Sequence, residues 1–310
     1  MSTPIPGLAQ AQDERALRFQ QLHARALRAL AYRMLGSRAE AEDVVQDAWL
    51  RWSTVDEATV QHAGAFLSRL VTHLCLDRLK SAAAQRERYV GVWLPEPLVD
   101  EAAGWCPGPE AQAEYAQEVS TAFLLALQRL SPLERAAFLL HDVFDLDFDE
   151  IGTRLQRSPA ACRQLASRAR SRVRAGEARQ TVQADEHERL LAAFIQALQQ
   201  QDVAAMAQVL TDDAVLLADG GGKVNAVPRA LSGGGRVAKA LVGFTKLPGH
   251  LQWRLQPAWI NGEPGYVAYD VQGLPVQTVV LRPAGSGRIA AVYIQRNPDK
   301  LRHLRPLPPA

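Results

Sequence analysis

The residues best suited by type and spacing to do chemistry are arginines. Between residues 151 and 180 there are eight, against one acid, Glu177, whereas residues 130–150 hold one arginine and six acids. Such polarised charge neutralises phosphate and holds a polyanion in register, while bidentate arginine and glutamine side chains read base edges. Arg163, Gln164, Ser167, Arg168 and Arg170 share one side of the stretch SPAACRQLASRARSRVR with Ser171 and Arg174. Cys162, Leu165, Ala166, Ala169 and Val173 recur at helical spacing on the other side. An arginine run alone is compatible with a solvated helix face; capped helices, a short turn and the Gln/Arg/Ser outer face favour DNA.

A second cluster is Asp219-Gly220-Gly221-Gly222-Lys223. It reads as a tight loop with free N–H groups, an acid and a cation, able to bind an anion or to clamp another domain's backbone. The G-x-x-x-x-G-K spacing of a nucleotide-binding loop is absent. Asn297-Pro298-Asp299-Lys300-Leu301 follows the last strand-like run and is expected to leave it as a turn. Asp219, Lys223, Asp299 and Lys300 are expected to hold an interface with the preceding linker or helical domains. Asp213, His250, Tyr269 and Asp270 are the candidates for a general base. Their spacing fixes no pocket, and Tyr269 and Asp270 should face opposite sides of a strand. The seven histidines are scattered and the three cysteines, Cys75, Cys106 and Cys162, are odd in number and widely spaced. They read as reduced packing residues, so neither a metal site nor a cofactor is expected.

These residues need elements to carry them. Asp147 and Glu150 have capping-box spacing before Phe148, Ile151 and Leu155, Gln156-Arg157-Ser158 makes a turn, and Ser158-Pro159 starts the arginine helix. Together they predict a helix-turn-helix. Upstream, an amphipathic helix over 17–34 stops at Gly36, and Ser37 caps a second with Ala41, Val44, Val45, Ala48, Trp49 and Trp52 inward. A third runs over about 63–79, and Arg86, Arg88, Tyr89 and Trp93 after it suit backbone contact plus base stacking. WLPEPLVDEAAGWCPGPE, 93–110, is a linker made sticky by its tryptophans and leucines. Helices follow over 115–130 and from Ser131. After residue 180 come a helix over 187–200, another over 236–246, and strand-like runs at 214–218, 251–260, 266–270, 276–281 and 289–295. They predict a small α+β domain with a curved antiparallel sheet. Hydrophobic content of 47% and charged content of 22% fit a globular protein of two or three domains. No apolar run reaches the roughly 20 residues of a membrane span, and the N-terminus lacks signal-peptide character, so a cytoplasmic location is expected.

The segments AYRMLGSRAEAEDVVQDAWLRW and SPLERAAFLLHDVFDLDFDEIGTRLQRSPAACRQLASRARSRV resemble sigma domains 2 and 4 of extracytoplasmic-function RNA polymerase sigma factors. WLPEPL, DGGGK and NPDKL resemble a subgroup that carries a fused C-terminal SnoaL-like domain. The resemblance implies two all-α sigma domains, a domain 2 bundle over 10–92 and a domain 4 helix-turn-helix over 113–180. Between them lies a linker, 93–112, and after them an α+β SnoaL-like cone, 185–302. It implies that Asp43, Gln46, Asp47 and Leu50 contact core RNA polymerase at the beta-prime clamp helices, the beta flap being a second contact. Arg69, His73, Asp77, Arg78 and Arg86 would capture the unwound minus-10 element. Arg163, Gln164, Ser167, Arg168 and Arg170 would bind the minus-35 element of promoter DNA. Trp93, Pro95, Asp219, Gly220, Gly221, Gly222, Lys223, Asn297, Pro298, Asp299 and Lys300 would form a regulatory interface, with no membrane partner and no obligatory separate anti-sigma factor. A small-molecule ligand in the cone stays open. The rival readings are a helix-turn-helix regulator with a ligand-sensing cone and an isomerase- or cyclase-like enzyme.

Overall fold

In a computed structural model, residues 6–86, 89–99, 119–174, 184–246 and 249–308 are described. The chain forms two compact units, one of Met1–Arg86 with Ala126–Gly176, the other of Glu87–Leu125 with Glu177–Ala310.

The first unit is helical. Helix α1 (Pro6–Phe19) runs through a π segment (Gln20–Ala24) into α2 (Arg25–Leu35). Gly36, at φ 72°, ends α2 with its N–H on the Tyr32 carbonyl, the left-handed cap that glycine adopts without Cβ strain. The Ser37 hydroxyl then accepts the Glu40 N–H and opens α3 (Arg38–Trp52). Ala41, Val44, Val45, Ala48 and Trp52 are buried along it, and Trp49 is half-buried with its ring 5.1 Å from Phe19. Helix α4 (Ala63–Arg86) outruns the expected 63–79 because Ala82, Ala83 and Ala84 have high helix propensity and no breaker intervenes.

Helix α5 (Thr121–Gln128) crosses the partition between the units; residues 100–118, which include Cys106 and the expected start of this helix at 115, lie outside the described residues. Ser131 and Glu134 form a reciprocal capping box at the start of α6 (Pro132–Phe138), extended by a π turn over Leu139–Val143. Burial raises the Glu134 carboxyl, but bonds from Ser131 and the Arg172 and Arg168 charges outweigh it and hold it below the usual carboxylate range. Asp147 caps α7 (Phe148–Leu155) and Gln156 closes it in the left-handed region. Ser158 accepts the Ala161 N–H at the start of α8 (Pro159–Arg174). A Cβ on Gly152 would sit 2.7 Å from the Arg157 carbonyl, so this turn folds back on α7 only over glycine. Arg135, on α6 and fully buried, donates to the Met34 carbonyl at the end of α2.

The second unit is α+β. Helices α9 (Ala184–Gln199) and α10 (Val203–Val209) precede β1 (Leu210–Asp219) and the short β2 (Leu231–Ser232). Helix α11 (Gly234–Thr245) leads to β3 (Arg254–Ile260), β4 (Glu263–Tyr269), β5 (Pro275–Ala284) and β6 (Arg288–Gln295), then α12 (Pro298–Leu301). The sheet order is β2-β1-β6-β5-β4-β3. It is not wholly antiparallel as expected, since β1 pairs with β6 in parallel. Strands β3 to β6 form an antiparallel meander, and its last strand lies alongside β1 and runs in the same direction. Helix α10 was not expected; Asp202 caps it by accepting the Ala204 and Ala205 N–H groups.

Alternation along the strands sends side chains to two buried faces. Tyr266, Ala268, Val279, Leu281, Val292 and Ile294 pack under helices α9 to α11. Val267, Tyr269, Val280, Ala291 and Tyr293 pack with Leu94, Ala122, Leu301 and Leu304. The second face is therefore covered by the linker, the start of α5 and the C-terminal tail, which is why the linker carries apolar residues.

Candidate functional site

On α8 the residues Arg163, Gln164, Ser167 and Arg168 are exposed, and Cys162, Ala166, Ala169 and Val173 are buried opposite them. Arg163 lies over the Phe148 ring at 5.2 Å, which orients its guanidinium. Arg170 differs from these four: it is half-buried and ion-paired with Asp142, so it braces the helix. Arg172 is likewise paired with Glu134 at 2.8 Å. A free, rigid fork of polar side chains over a small-residue face is what base reading in a groove requires.

On α3, Asp43, Gln46 and Leu50 are exposed and Asp47 is half-buried. Arg78 of α4 reaches Asp47 at 3.1 Å and Asp43 at 3.6 Å, and donates to the Glu40 carbonyl. One residue expected at the minus-10 element thus sits against two expected at the polymerase. Arg69 and Asp77 are exposed, Asp77 paired with Lys80, and His73 is half-buried. Arg86 ends α4, with its side chain outside the described part of the structure. Leu50, 56% exposed, is an apolar side chain in an otherwise polar face, a feature that costs solvation unless a partner covers it.

In the second unit, the polar residues converge on Asp219, whose exposure is 0%. Its Oδ1 accepts the Tyr89 hydroxyl at 2.6 Å and the Gly221 N–H at 2.9 Å. Its Oδ2 accepts the Leu94 N–H at 2.9 Å, Lys300 Nζ at 2.7 Å and Gln295 Nε2 at 3.2 Å. A buried carboxylate is tolerated only when its lone pairs are filled and a cation lies beside it, and both conditions hold. Lys300 also donates to the Leu94 carbonyl, with its ammonium 4.2 Å from the Trp93 ring and 5.2 Å from the Tyr89 ring. Asn297 donates to the Tyr89 oxygen at 3.0 Å and caps α12, so NPDKL is a capped helical turn with Pro298 at its first position. Burial, then the Asp219 bond, push the Tyr89 phenol well above its usual range, so it stays a donor.

The glycines make room for this arrangement. Gly221 has φ 61°, and a Cβ there would fall 2.3 Å from Asn297 Nδ2; a Cβ on Gly220 would fall 2.3 Å from the Val224 carbonyl. Gly222 approaches the Val90 side chain. Lys223 pairs with Asp299, and this hydrogen bond holds the Asp299 carboxyl below its ordinary value. Pro95 is buried, and its carbonyl accepts from Gln295 Nε2 at 3.3 Å.

The sequence reading missed further contacts to the same segment. Asn261 accepts the Leu98 N–H and donates both to the Leu98 carbonyl, through its backbone, and to the Val119 carbonyl, through its side chain. Glu263 accepts the Thr121 N–H at 2.8 Å. His303 faces Pro97 and Glu96. No local periodicity marks these residues; only the linker's apolar content hinted at a docking site. Tyr89, expected beside DNA bases, is instead a donor in this cluster. Burial raises the Glu263 carboxyl from the ordinary 4.5 to about 7, against the opposing pull of Thr121 and Arg282. A raised carboxyl contributes stability below the unfolded value that is lost as pH climbs through the folded one. Glu263→Gln is therefore expected to leave the melting temperature of the protein unchanged at pH 4.5 and to raise it at pH 8, measured by thermal denaturation across that window.

The four general-base candidates do not meet. Asp213 is exposed, His250 stacks on Trp253 at 3.9 Å, Tyr269 belongs to the linker-side core, and Asp270 caps a turn through the Gln272 and Leu274 N–H groups. An open groove of about 590 Å³ beside α9, lined by Glu186, Arg189, Leu190 and Gln208 among others, contains none of them. Among the described residues no cluster of histidine, cysteine or acidic side chains could hold a metal ion. No described helix is long and apolar enough to cross a membrane.

Comparison with known proteins decides the family. Residues 19–85 match Sigma-70 region 2 and residues 120–173 match Sigma-70, region 4. The ECF RNA polymerase sigma factor SigJ of Mycobacterium tuberculosis is 35% identical over 284 residues, covering 88% of this chain and 89% of that one. The chain belongs to the extracytoplasmic-function sigma factors. The crystal structure of Mycobacterium tuberculosis SigJ superposes with a TM-score of 0.73 at 30% identity, over 93% of this sigma factor and 98% of that chain. The probable ECF sigma factor SigI of Mycobacterium tuberculosis is 33% identical over 189 residues, 58% of this chain and 62% of that one. As a member of this family, the sigma factor directs core RNA polymerase to promoter DNA. Its architecture is that of two helical sigma domains followed by a SnoaL-like α+β domain.

Proposed function

We propose that the SnoaL-like domain restrains initiation by holding the sigma linker against its own sheet. The observation that carries this reading is the filled, buried Asp219 carboxylate, which takes donors from Tyr89, between α4 and the linker, and from Leu94 within the linker. At the other end of the linker, Thr121 and Ala122 are held by Glu263 and the same sheet face. The 34 residues between Arg86 and Thr121, if free, would span up to roughly 115 Å. The minus-10 and minus-35 elements are about 25 base pairs apart, or about 85 Å at about 3.4 Å each. A free linker covers that distance; one fixed at both ends to one small sheet does not. Release of the clamp is therefore an activating step.

Within this reading Asp43, Gln46 and Leu50 contact the polymerase, Asp47 supports them through Arg78, and Arg163, Gln164, Ser167 and Arg168 read the minus-35 element. Arg69, His73 and Asp77 face the opened minus-10 strand. The test of the polymerase surface is co-purification with core enzyme: Leu50→Glu is expected to weaken binding about tenfold or more at unchanged melting temperature. Equal binding by this variant and the wild type would remove α3 from the interface. Co-purification also separates this reading from a helix-turn-helix regulator that never joins polymerase.

A further inference from the structure

The longest stretch of the chain without an acidic residue runs from Gly220 to Gly262, inside the SnoaL-like domain, and it carries six cations: Lys223, Arg229, Arg236, Lys239, Lys246 and Arg254. Lys223 is paired with Asp299, and Arg254 donates to the Pro308 carbonyl. Arg236, Lys239 and Lys246 lie on α11 or at its end, and all three are exposed. Their side chains make no ion pair among the described residues. At 3.6 residues per turn, Gly235, Arg236, Lys239, Gly243 and Lys246 fall within an arc of about 100°. Val237, Ala238, Leu241 and Val242 are buried on the other side of the helix. Gly235 and Gly243 are exposed, neither has a left-handed backbone, and a Cβ on either would meet nothing within 4 Å. Neither packing nor a turn requires them, and a glycine inside a helix costs stability relative to alanine. What they provide is a surface flush with the helix backbone between the cations, open to close approach.

We infer that this face of α11 is a second DNA-binding surface, by which the SnoaL-like domain holds the phosphate backbone of duplex DNA without reading its sequence. It is independent of the linker restraint. A helix face that is only solvated mixes charges of both signs, as α9 does with Asp185, Glu186, Glu188 and Arg189. The α11 face carries cations alone. The acids at its N-terminal end are Asp212, whose backbone lies against Gly234 and whose carboxylate is engaged by Arg288 at 3.0 Å, and Asp213 beside it. Lys239 and Lys246 lie one turn and three turns further along. Arg236 and Lys246 are ten residues apart, or about 15 Å along the helix. That length of duplex axis carries about nine negative charges, so three cations meet phosphate without bending the DNA. Of the polyanions that such a face fits, duplex DNA is the one that a sigma factor already engages through its helical unit.

The test is binding of the full chain to a duplex that lacks promoter elements, followed by fluorescence anisotropy across a range of salt concentrations. Each phosphate contact contributes about 0.9 to the slope of log affinity against log salt. Combining Arg236→Gln, Lys239→Gln and Lys246→Gln is therefore expected to make the slope shallower by about 2.7, a loss of about fortyfold in the response between about 50 and about 200 mM salt. The melting temperature should stay where it is, since these side chains touch no core residue. Gly243→Ala is expected to raise the melting temperature and to weaken DNA binding, because the methyl group holds the phosphates away. Discrimination between minus-35 sequences should be the same in all of these variants, which separates this surface from α8. An unchanged salt slope in the triple variant would overturn the surface. So would loss of binding to anionic phospholipid vesicles while DNA binding persists, which would assign the face to a membrane.

Discussion

Asp219→Ala frees the linker and weakens the second unit by about 3–5 kcal/mol, the usual effect of removing one partner of a buried ion pair. The cost arises on both sides of the deleted carboxylate. Lys300, at 13% side-chain exposure, loses its counter-ion, and the Leu94 N–H and Tyr89 hydroxyl lose their acceptor. Urea denaturation reads the stability, and protease cleavage within 89–99 reads the release. Transcription from a cognate promoter is expected to rise at the same time, because the restraint is gone. Asp219→Asn with Lys300→Met removes both charges together and is expected to cost less than Asp219→Ala, which separates the buried-charge penalty from a loss of shape. A linker as protected in Asp219→Ala as in the wild type would show that apolar packing of Leu94 and Leu98 alone holds it.

The second large effect is expected on α8. Arg163→Ala and Arg168→Ala should each weaken promoter binding by about 1–3 kcal/mol if they reach base edges, with discrimination lost at single positions of the minus-35 element. If either meets phosphate instead, binding falls evenly across sequences and the salt slope drops by about one ion. Arg170→Ala should behave differently, since that side chain is occupied by Asp142. Its main consequence is a less rigid helix, seen in the melting temperature before it is seen in specificity. Binding measured on a panel of single-position promoter variants at two salt concentrations distinguishes the three outcomes.

Much of the local structure was legible in the sequence because it depends on neighbours. Ser37, Ser131, Asp147 and Ser158 each accept a backbone N–H three residues on, as their spacing requires. The small-residue face of α8 and its polar fork follow from helical periodicity. The strand-like runs were found, but the parallel pairing of β1 and β6 was not, since alternation carries no strand direction. The Asp219 cluster was half legible. Asp219, Lys223, Asn297 and Lys300 were singled out by loop chemistry together with the family resemblance of DGGGK and NPDKL, whereas Tyr89, Gln295 and His303 were not, because their contacts join residues far apart in sequence: 130 positions for Tyr89 and 206 for His303. The free N–H groups expected of the glycine loop are partly turned inward, with that of Gly221 on Asp219 itself. The loop therefore reads as a clamp on backbone in preference to an anion cradle.

The most direct test of the whole account is transcription in vitro with core RNA polymerase on a cognate promoter, comparing the full chain with Asp219→Ala. Initiation dependent on the added chain, and several-fold stronger with the variant at equal binding to core enzyme, is the predicted result. Equal or weaker initiation by a variant shown to be folded and to have released its linker would contradict the restraint.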